Sequence, residues 1–295
     1  MSNQIPAFPV TEKAYAKLNI SLDVTARRAD GYHDMLMVMQ TVSLCDELTI
    51  SPEREGNVYA SASLPYVPGD KRNLAVRAAL KFLELVGDEH RGMKITMHKS
   101  IPVGAGMAGG SADAAAVLRA LNRAYGDPLS PDELCAVGET VGSDVAFCLR
   151  GGTALASGRG EILKPLTPLP PCRFVICKPD FSISTPELFR KLDESKTSCH
   201  PDTEGLLAAL DKGDLDGICR RMYNVFEDVP DRRMRTIRAA KGALLDCGAL
   251  GAVMTGTGSA VFGVFRDEEK AAAACADLSG EYRFCCTAEA VGALL

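Results

Sequence analysis

No run of apolar residues in this chain approaches the ~20 that a membrane helix needs. No block of basic residues is present either. Lys and Arg number 33 against 38 Asp and Glu, a net charge of −5. Affinity for a nucleic-acid backbone needs clustered cations, so the composition points away from nucleic acid as a partner. The first residues, MSNQIPAFPVTEK, lack a positive segment followed by an apolar core, and no secretory signal is expected. The 11 cysteines include no CxxC pair, and His200 beside Cys199 stands alone, so tetrahedral metal-site spacing is missing. The thiols read as reduced and mostly buried, in a cytoplasmic protein. No internal repeat or low-complexity segment is visible.

What remains is an ordinary globular composition, 46% hydrophobic and 24% charged over 295 residues, enough for about two domains. Ala14 to Val24 alternates strictly. Ala14, Ala16, Leu18, Ile20, Leu22 and Val24 take one face; Tyr15, Lys17, Asn19, Ser21 and Asp23 take the other. The pattern predicts a half-buried strand with a polar face. Met35–Met39 and Val42–Ile50 read as two further strands, and residues 51–72 as irregular. Asn73 caps a predicted helix to about Val86, and Met93–Met97 is a strand. Ser130-Pro131-Asp132-Glu133 is a capping box, and Ser143 is a candidate cap for a short helix. Lys164–Pro171 carries four prolines and is taken as the domain boundary, giving domains 1–166 and 167–295. Residues 203–228 read as helical, and the second half tallies as β-helix-β-β-helix-β. Strands and helices mix without regular βαβ repetition, which predicts α+β.

The most informative stretch is Pro102-Val-Gly104-Ala105-Gly106-Met107-Ala108-Gly109-Gly110-Ser111-Ala-Asp113. Four glycines in seven residues leave backbone amides bare, and a helical apolar pattern follows from Ala114 to Tyr125. Uncovered N–H groups at a helix start, predicted at Ser111, favour an anion, so the stretch is a candidate phosphate site. Gly104-x-Gly106-x-x-Gly109 formally matches the dinucleotide fingerprint, but two conditions of that motif fail. His98-Lys99-Ser100 and Pro102 precede the loop instead of an apolar strand, and the acid at the right distance, Asp127, lies in a helix connection. A Gly-Lys-Ser/Thr sequence is absent too, so this is not a Walker loop.

These residues resemble the second motif of the GHMP kinases, the superfamily of galactokinase, homoserine kinase and mevalonate kinase. Ala14-Tyr-Ala-Lys17-Leu-Asn19-Ile resembles its first motif and Thr255-Gly-Thr-Gly-Ser259 its third, in the family's order. One departure is Met107-Ala108, where the family more often has Leu-Gly. Arg28-Ala-Asp-Gly31-Tyr32-His33, Val141-Gly-Ser-Asp144-Val-Ala-Phe147 and Asn224-Val-Phe-Glu227 narrow the resemblance to the branch whose substrate carries a cytidine diphosphate, in the non-mevalonate isoprenoid (terpenoid) pathway.

The resemblance implies a ribosomal-protein-S5 domain 2-like first domain, a ferredoxin-like second domain and an active site in the cleft between them. It implies ATP and Mg²⁺, a small-molecule partner, and a monomer or weak homodimer. From the residues alone, Asp144 is either a first-turn helix acid or a general base, and Lys17 either a solvated strand lysine or that base's cation. The resemblance aligns both with the family's catalytic pair. It assigns Tyr32 and His33 to the cytidine group, with Phe189 closing the ring stack and Asn19 and Thr185 facing the substrate. Asn73 and Lys99 would lie at the adenine end, residues 102 and 104–111 around the phosphates, and Ser111 near Mg²⁺. Two competing readings are a GHMP kinase for another small alcohol and a non-catalytic ATP-binding protein on the same fold.

Overall fold

In a computed structural model, which describes residues 7–54, 56–195 and 199–295, two long antiparallel strands carry the first sheet. The first half runs β1 Val10–Arg27, β2 His33–Glu53, β3 Val58–Ala62, α1 Leu74–Val86, β4 Gly92–His98, α2 Gly109–Ala124, α3 Pro131–Val141, α4 Val145–Arg150, β5 Thr153–Ser157 and β6 Ile162–Pro165. The second half runs β7 Arg173–Lys178, α5 Thr185–Glu194, α6 Thr203–Asp211, α7 Leu215–Cys219, β8 Tyr223–Asn224, a 3-10 turn Val225–Asp228, α8 Met234–Asp246, β9 Gly251–Met254, β10 Val261–Phe265, α9 Glu268–Leu278 and β11 Phe284–Glu289.

The first sheet has the order β3-β4-β2-β1-β8, with β5 and β6 added through β2. The second has the order β11-β7-β10-β9 and is antiparallel throughout. With α8 and α9 packed on it, it is the β-α-β-β-α-β ferredoxin-like arrangement. The chain is therefore α+β.

Several local signals act as expected. Asn73 accepts a hydrogen bond from Ala75 N and caps α1. Ser130 and Glu133 form the reciprocal capping box of α3. Other expectations change. The two strands foreseen in 35–50 are one 21-residue strand, and β3 forms inside the supposedly irregular stretch, pairing in parallel with β4. The helical pattern of 203–228 breaks at Gly213, whose φ is +66°. It continues as α7, capped by Asp214 on Gly217 N, and then as β8.

The largest difference concerns β1. Its apolar face is buried, as its alternation predicts. Its polar face is buried too: Lys17, Asn19, Ser21 and Asp23 are all at most 5% exposed. The second half covers them. Tyr223 and Asn224 pair in parallel with Ser21 and Leu22, the Thr255 loop lies on Asn19, and His200 reaches Asp23. Strand alternation measures distance from one core. It carries no information about a second half of the chain folding over the polar side.

Candidate active site

The glycine loop reaches its helix two residues earlier than predicted. Ala108 occupies the N-cap position of α2 at φ 57°, with no side-chain cap, and Ser111 lies in the first turn. The leading amides of α2 therefore meet no capping side chain, the state that suits an anion. Gly106 has φ +77°, and a Cβ there would stand 2.1 Å from Thr255 O. Across the contact, Gly256 has φ +54° and no room for a Cβ beside Gly106 O. The two glycine loops thus touch backbone to backbone, which needs glycine on both sides.

Asn19 sits at this junction. Its backbone N–H donates to Thr255 Oγ1 (3.1 Å), and its Oδ1 accepts from Gly256 N (3.0 Å) and from the Lys17 ammonium (2.6 Å). Lys17 also donates to Gly106 O at 2.9 Å. A lysine from a strand face is thereby held against the glycine loop.

Asp144 stands at the start of α4, and its carboxylate makes no capping hydrogen bond. Ser143, the expected cap, does not fill that position. Among the described residues the Asp144 carboxylate has no hydrogen bond or ion pair, so the close pairing foreseen with Lys17 is not formed. Both residues line one cavity of about 280 Å³, with Thr185, Thr257 and Phe226. The charges of both also reach the buried Cys148. Burial pushes that thiol up to about 12, with Asp144 adding to the rise and Lys17 opposing it.

On one side this cavity shares Gly104, Gly106 and Ala108 with a cavity of about 380 Å³. Residues 101–111, with Tyr66, Arg72 and Asn73, line that second space. Two residues expected to meet ATP here have side chains engaged elsewhere. Asn73 caps α1 and donates to Pro68 O at 2.8 Å. The Lys99 ammonium, 3% exposed, is bonded to both Asp46 and Asp113. Asp46 also accepts from Ser100 N and Ile101 N, which fastens the entry of the loop. Asn73 and Lys99 both line the cavity, with their polar groups bonded to protein partners. Their sequence positions show nothing of Asp46, 53 residues away from Lys99.

On the other side Met35, Ser143, Arg159, Thr185 and Phe189 are shared with a cleft of about 720 Å³. There the rings of His33 and Phe189 stack at 4.7 Å and 28°, and Phe189 meets Phe226 edge-on at 4.9 Å. The stack formed is His33 on Phe189. Tyr32 stands apart, 58% exposed, with the Arg159 guanidinium 5.2 Å over its ring. His33 Nε2 bonds Asp193 Oδ1 at 2.7 Å, a partner the sequence reading missed. Asp193 follows Phe189 by one helical turn on α5, so the i, i+4 spacing would have placed it on the same face. Thr185 Oγ1 and Thr257 Oγ1 lie 2.9 Å apart, and Thr185 lines both the cleft and the inner cavity.

Residues 73–152 match the family described as GHMP kinases N terminal domain, and residues 206–283 the one described as GHMP kinases C terminal. A protein of Clostridium perfringens named 4-diphosphocytidyl-2-C-methyl-D-erythritol kinase is 42% identical over 272 residues, spanning 92% of this chain and 94% of its own. One of the same name from Alkaliphilus metalliredigens is 41% identical over 271 residues, spanning 92% and 93%. A crystal structure of 4-(cytidine 5'-diphospho)-2C-methyl-D-erythritol kinase superposes with a TM-score of 0.80 at 34% identity, covering 96% of this chain and 99% of that one. A homoserine kinase from Cytophaga hutchinsonii shares the fold, with a TM-score of 0.72 at 20% identity over 100% of this chain and 98% of its own.

Proposed function

The chain belongs to the GHMP kinases, and from that premise we infer that it transfers the γ-phosphate of ATP to a hydroxyl of 4-diphosphocytidyl-2-C-methyl-D-erythritol. The reaction belongs to the non-mevalonate, methylerythritol phosphate route to isoprenoid precursors. The observation that carries this reading is the series of three joined cavities. A phosphate loop lines the first, an unpaired carboxylate and a held ammonium the second, and an aromatic cleft with a histidine the third. A donor nucleotide, a reacting alcohol and a pyrimidine suit them in that order.

Phosphoryl transfer demands positioning, charge neutralisation and a group to take the alcohol proton. Asp144 takes that proton, because its carboxylate is free of other partners and faces the middle cavity. Lys17 holds a positive charge beside the phosphate loop, fixed by Asn19 and Gly106 O. The leading amides of α2 hold the nucleotide's phosphates. Ser111 fits Mg²⁺: its hydroxyl lines the nucleotide cavity and has no hydrogen-bond partner among the described residues. A Mg²⁺ that arrives on phosphates needs one or two protein oxygens. Bound there, it supplies neutralisation of the phosphate charge. In the cleft, Asp193 accepts from His33 Nε2–H when the ring is neutral, so Nδ1 is left as an acceptor for a pyrimidine amino group.

The test is turnover of 4-diphosphocytidyl-2-C-methyl-D-erythritol beside mevalonate and homoserine. Phosphorylation of the cytidine compound is expected, and turnover of either of the others alone overturns the substrate. Asp144→Asn is expected to lower kcat by about 10²- to 10⁴-fold, the range of a general base, while ATP binding stays intact. Near-normal turnover by that variant removes Asp144 from the role.

A further inference from the structure

Arg159 is placed where the inner cavity and the cleft meet. Five residues line both spaces, and of these Arg159 alone carries a charge. The other cations are divided between the two. Lys17 lines the inner cavity, and Arg27 and Arg190 line the cleft. Arg159 stands on a turn tied to β2, where Met35 N donates to Gly158 O at 2.7 Å. Its backbone N–H donates to Glu161 Oε2 at 2.6 Å. The side chain is held much less firmly. Its Nε is 3.9 Å from Glu161 Oε1, too far for a hydrogen bond, and 46% of the side chain is exposed.

We propose that Arg159 binds the diphosphate of a nucleoside-diphosphate substrate at the junction of recognition and transfer. This rests on the substrate reading above. If the pyrimidine occupies the cleft beside His33 and the reacting hydroxyl occupies the cavity of Asp144, the diphosphate between them lies at the join. A diphosphate leaving water needs a cation with hydrogen-bond donors there, and Arg159 supplies one. Its planar fork matches two phosphate oxygens at once. Its place over the Tyr32 ring also keeps the charge close to the recognition side. Arg159 is a specificity residue: it rewards a phosphorylated nucleoside over the bare one and leaves the proton transfer to Asp144.

Titration calorimetry of the full chain with CDP and with cytidine reads this directly. Wild type is expected to bind CDP more tightly than cytidine. Arg159→Met is expected to raise the Kd for CDP roughly 10- to 100-fold, as for loss of a hydrogen bond between charged groups. It should leave the Kd values for cytidine and ATP unchanged. Arg159→Lys recovers part of the loss, because an ammonium keeps the charge without the fork. Turnover follows the same split, with KM for the cytidine-diphosphate substrate rising while kcat changes little. An unchanged CDP affinity in Arg159→Met overturns the assignment. Equal weakening of CDP and cytidine overturns it too, since Arg159 would then act by shaping Tyr32. A wild-type chain that binds no CDP overturns the substrate reading and the Arg159 assignment with it, and that failure shows before any variant is made.

Discussion

Ala108 shows how one side chain records a departure from the family's usual glycine. It sits at φ 57° and ψ 30°, a region that a residue with a Cβ enters at a cost of about 1–2 kcal/mol. The position is held by its neighbours: Met107 O accepts from Lys17 N, and Ala108 O starts the ladder of α2 through Ala112 N. Ala108→Gly relieves the strain, and glycine's greater freedom in the unfolded chain takes back about 0.5–1 kcal/mol. The variant is therefore expected to be about 0.5–1 kcal/mol more stable by urea denaturation, with ATP binding retained. A lower midpoint would show that the methyl group packs usefully and that the backbone is unstrained. The departure itself was readable in the sequence. Its conformational consequence was not, because the left-handed turn is imposed by contacts with Lys17, some 90 residues earlier in the chain.

At the scale of elements, the glycine loop depends on the pair it joins, β4 and α2. Lys99 directly follows β4, Asp113 lies in the first turns of α2, and the Lys99 ammonium bonds both Asp113 and Asp46 of β2. All three side chains are at most 4% exposed. Lys99→Met leaves two buried carboxylates facing each other and is expected to destabilise by about 3–5 kcal/mol, more at alkaline than at acidic pH. Burial first, and the Asp46 charge second, push the Asp113 carboxyl from 3.8 up to about 7, against the pull of Lys99. The folded chain therefore keeps a proton that the unfolded chain has lost between those values. Stability falls as pH rises through that window and levels off above about 7. Asp113→Asn preserves the Lys99–Asp46 pair and removes the titration, so the urea midpoint should lose this part of its slope. A variant as pH-sensitive as wild type across the same range would disprove the account. Such elements were only half legible. The caps of α1 and α3 were, since Asn73 and Ser130 act within three residues of themselves. The burial of Lys99 and of β1's polar face was not, since both depend on distant partners.

For the whole molecule, the two predicted domains 1–166 and 167–295 share a cleft, and the contacts across them tie their stabilities together. Asn19 bonds Thr255 and Gly256, and Ala260 N donates to Ala105 O at 3.2 Å. Tyr223–Asn224 completes the first sheet as a parallel strand beside β1. The end of the chain then returns to the first half. Val291 N donates to Thr41 O at 2.8 Å and Leu294 N to Arg150 O at 2.7 Å. The order of the three motifs was legible in the sequence, and with it the family. That the first and third motifs would hydrogen-bond to each other through Asn19 was not, because motif order says nothing of contact. These crossings predict that the chain unfolds as one unit in calorimetry, with matching calorimetric and van't Hoff enthalpies. They also predict that a fragment of residues 1–166 does not fold stably. It would expose β1's face of Lys17, Asn19, Ser21 and Asp23 without the Thr255 loop and without β8, the strand that completes the first sheet. Two well-separated transitions, or a fragment with native-like chemical-shift dispersion, would mean that the cleft joins two independent units. In that case Lys17 would already be held by Asn19 and Gly106 in the absence of the second half, and the third motif would contribute to nucleotide binding alone.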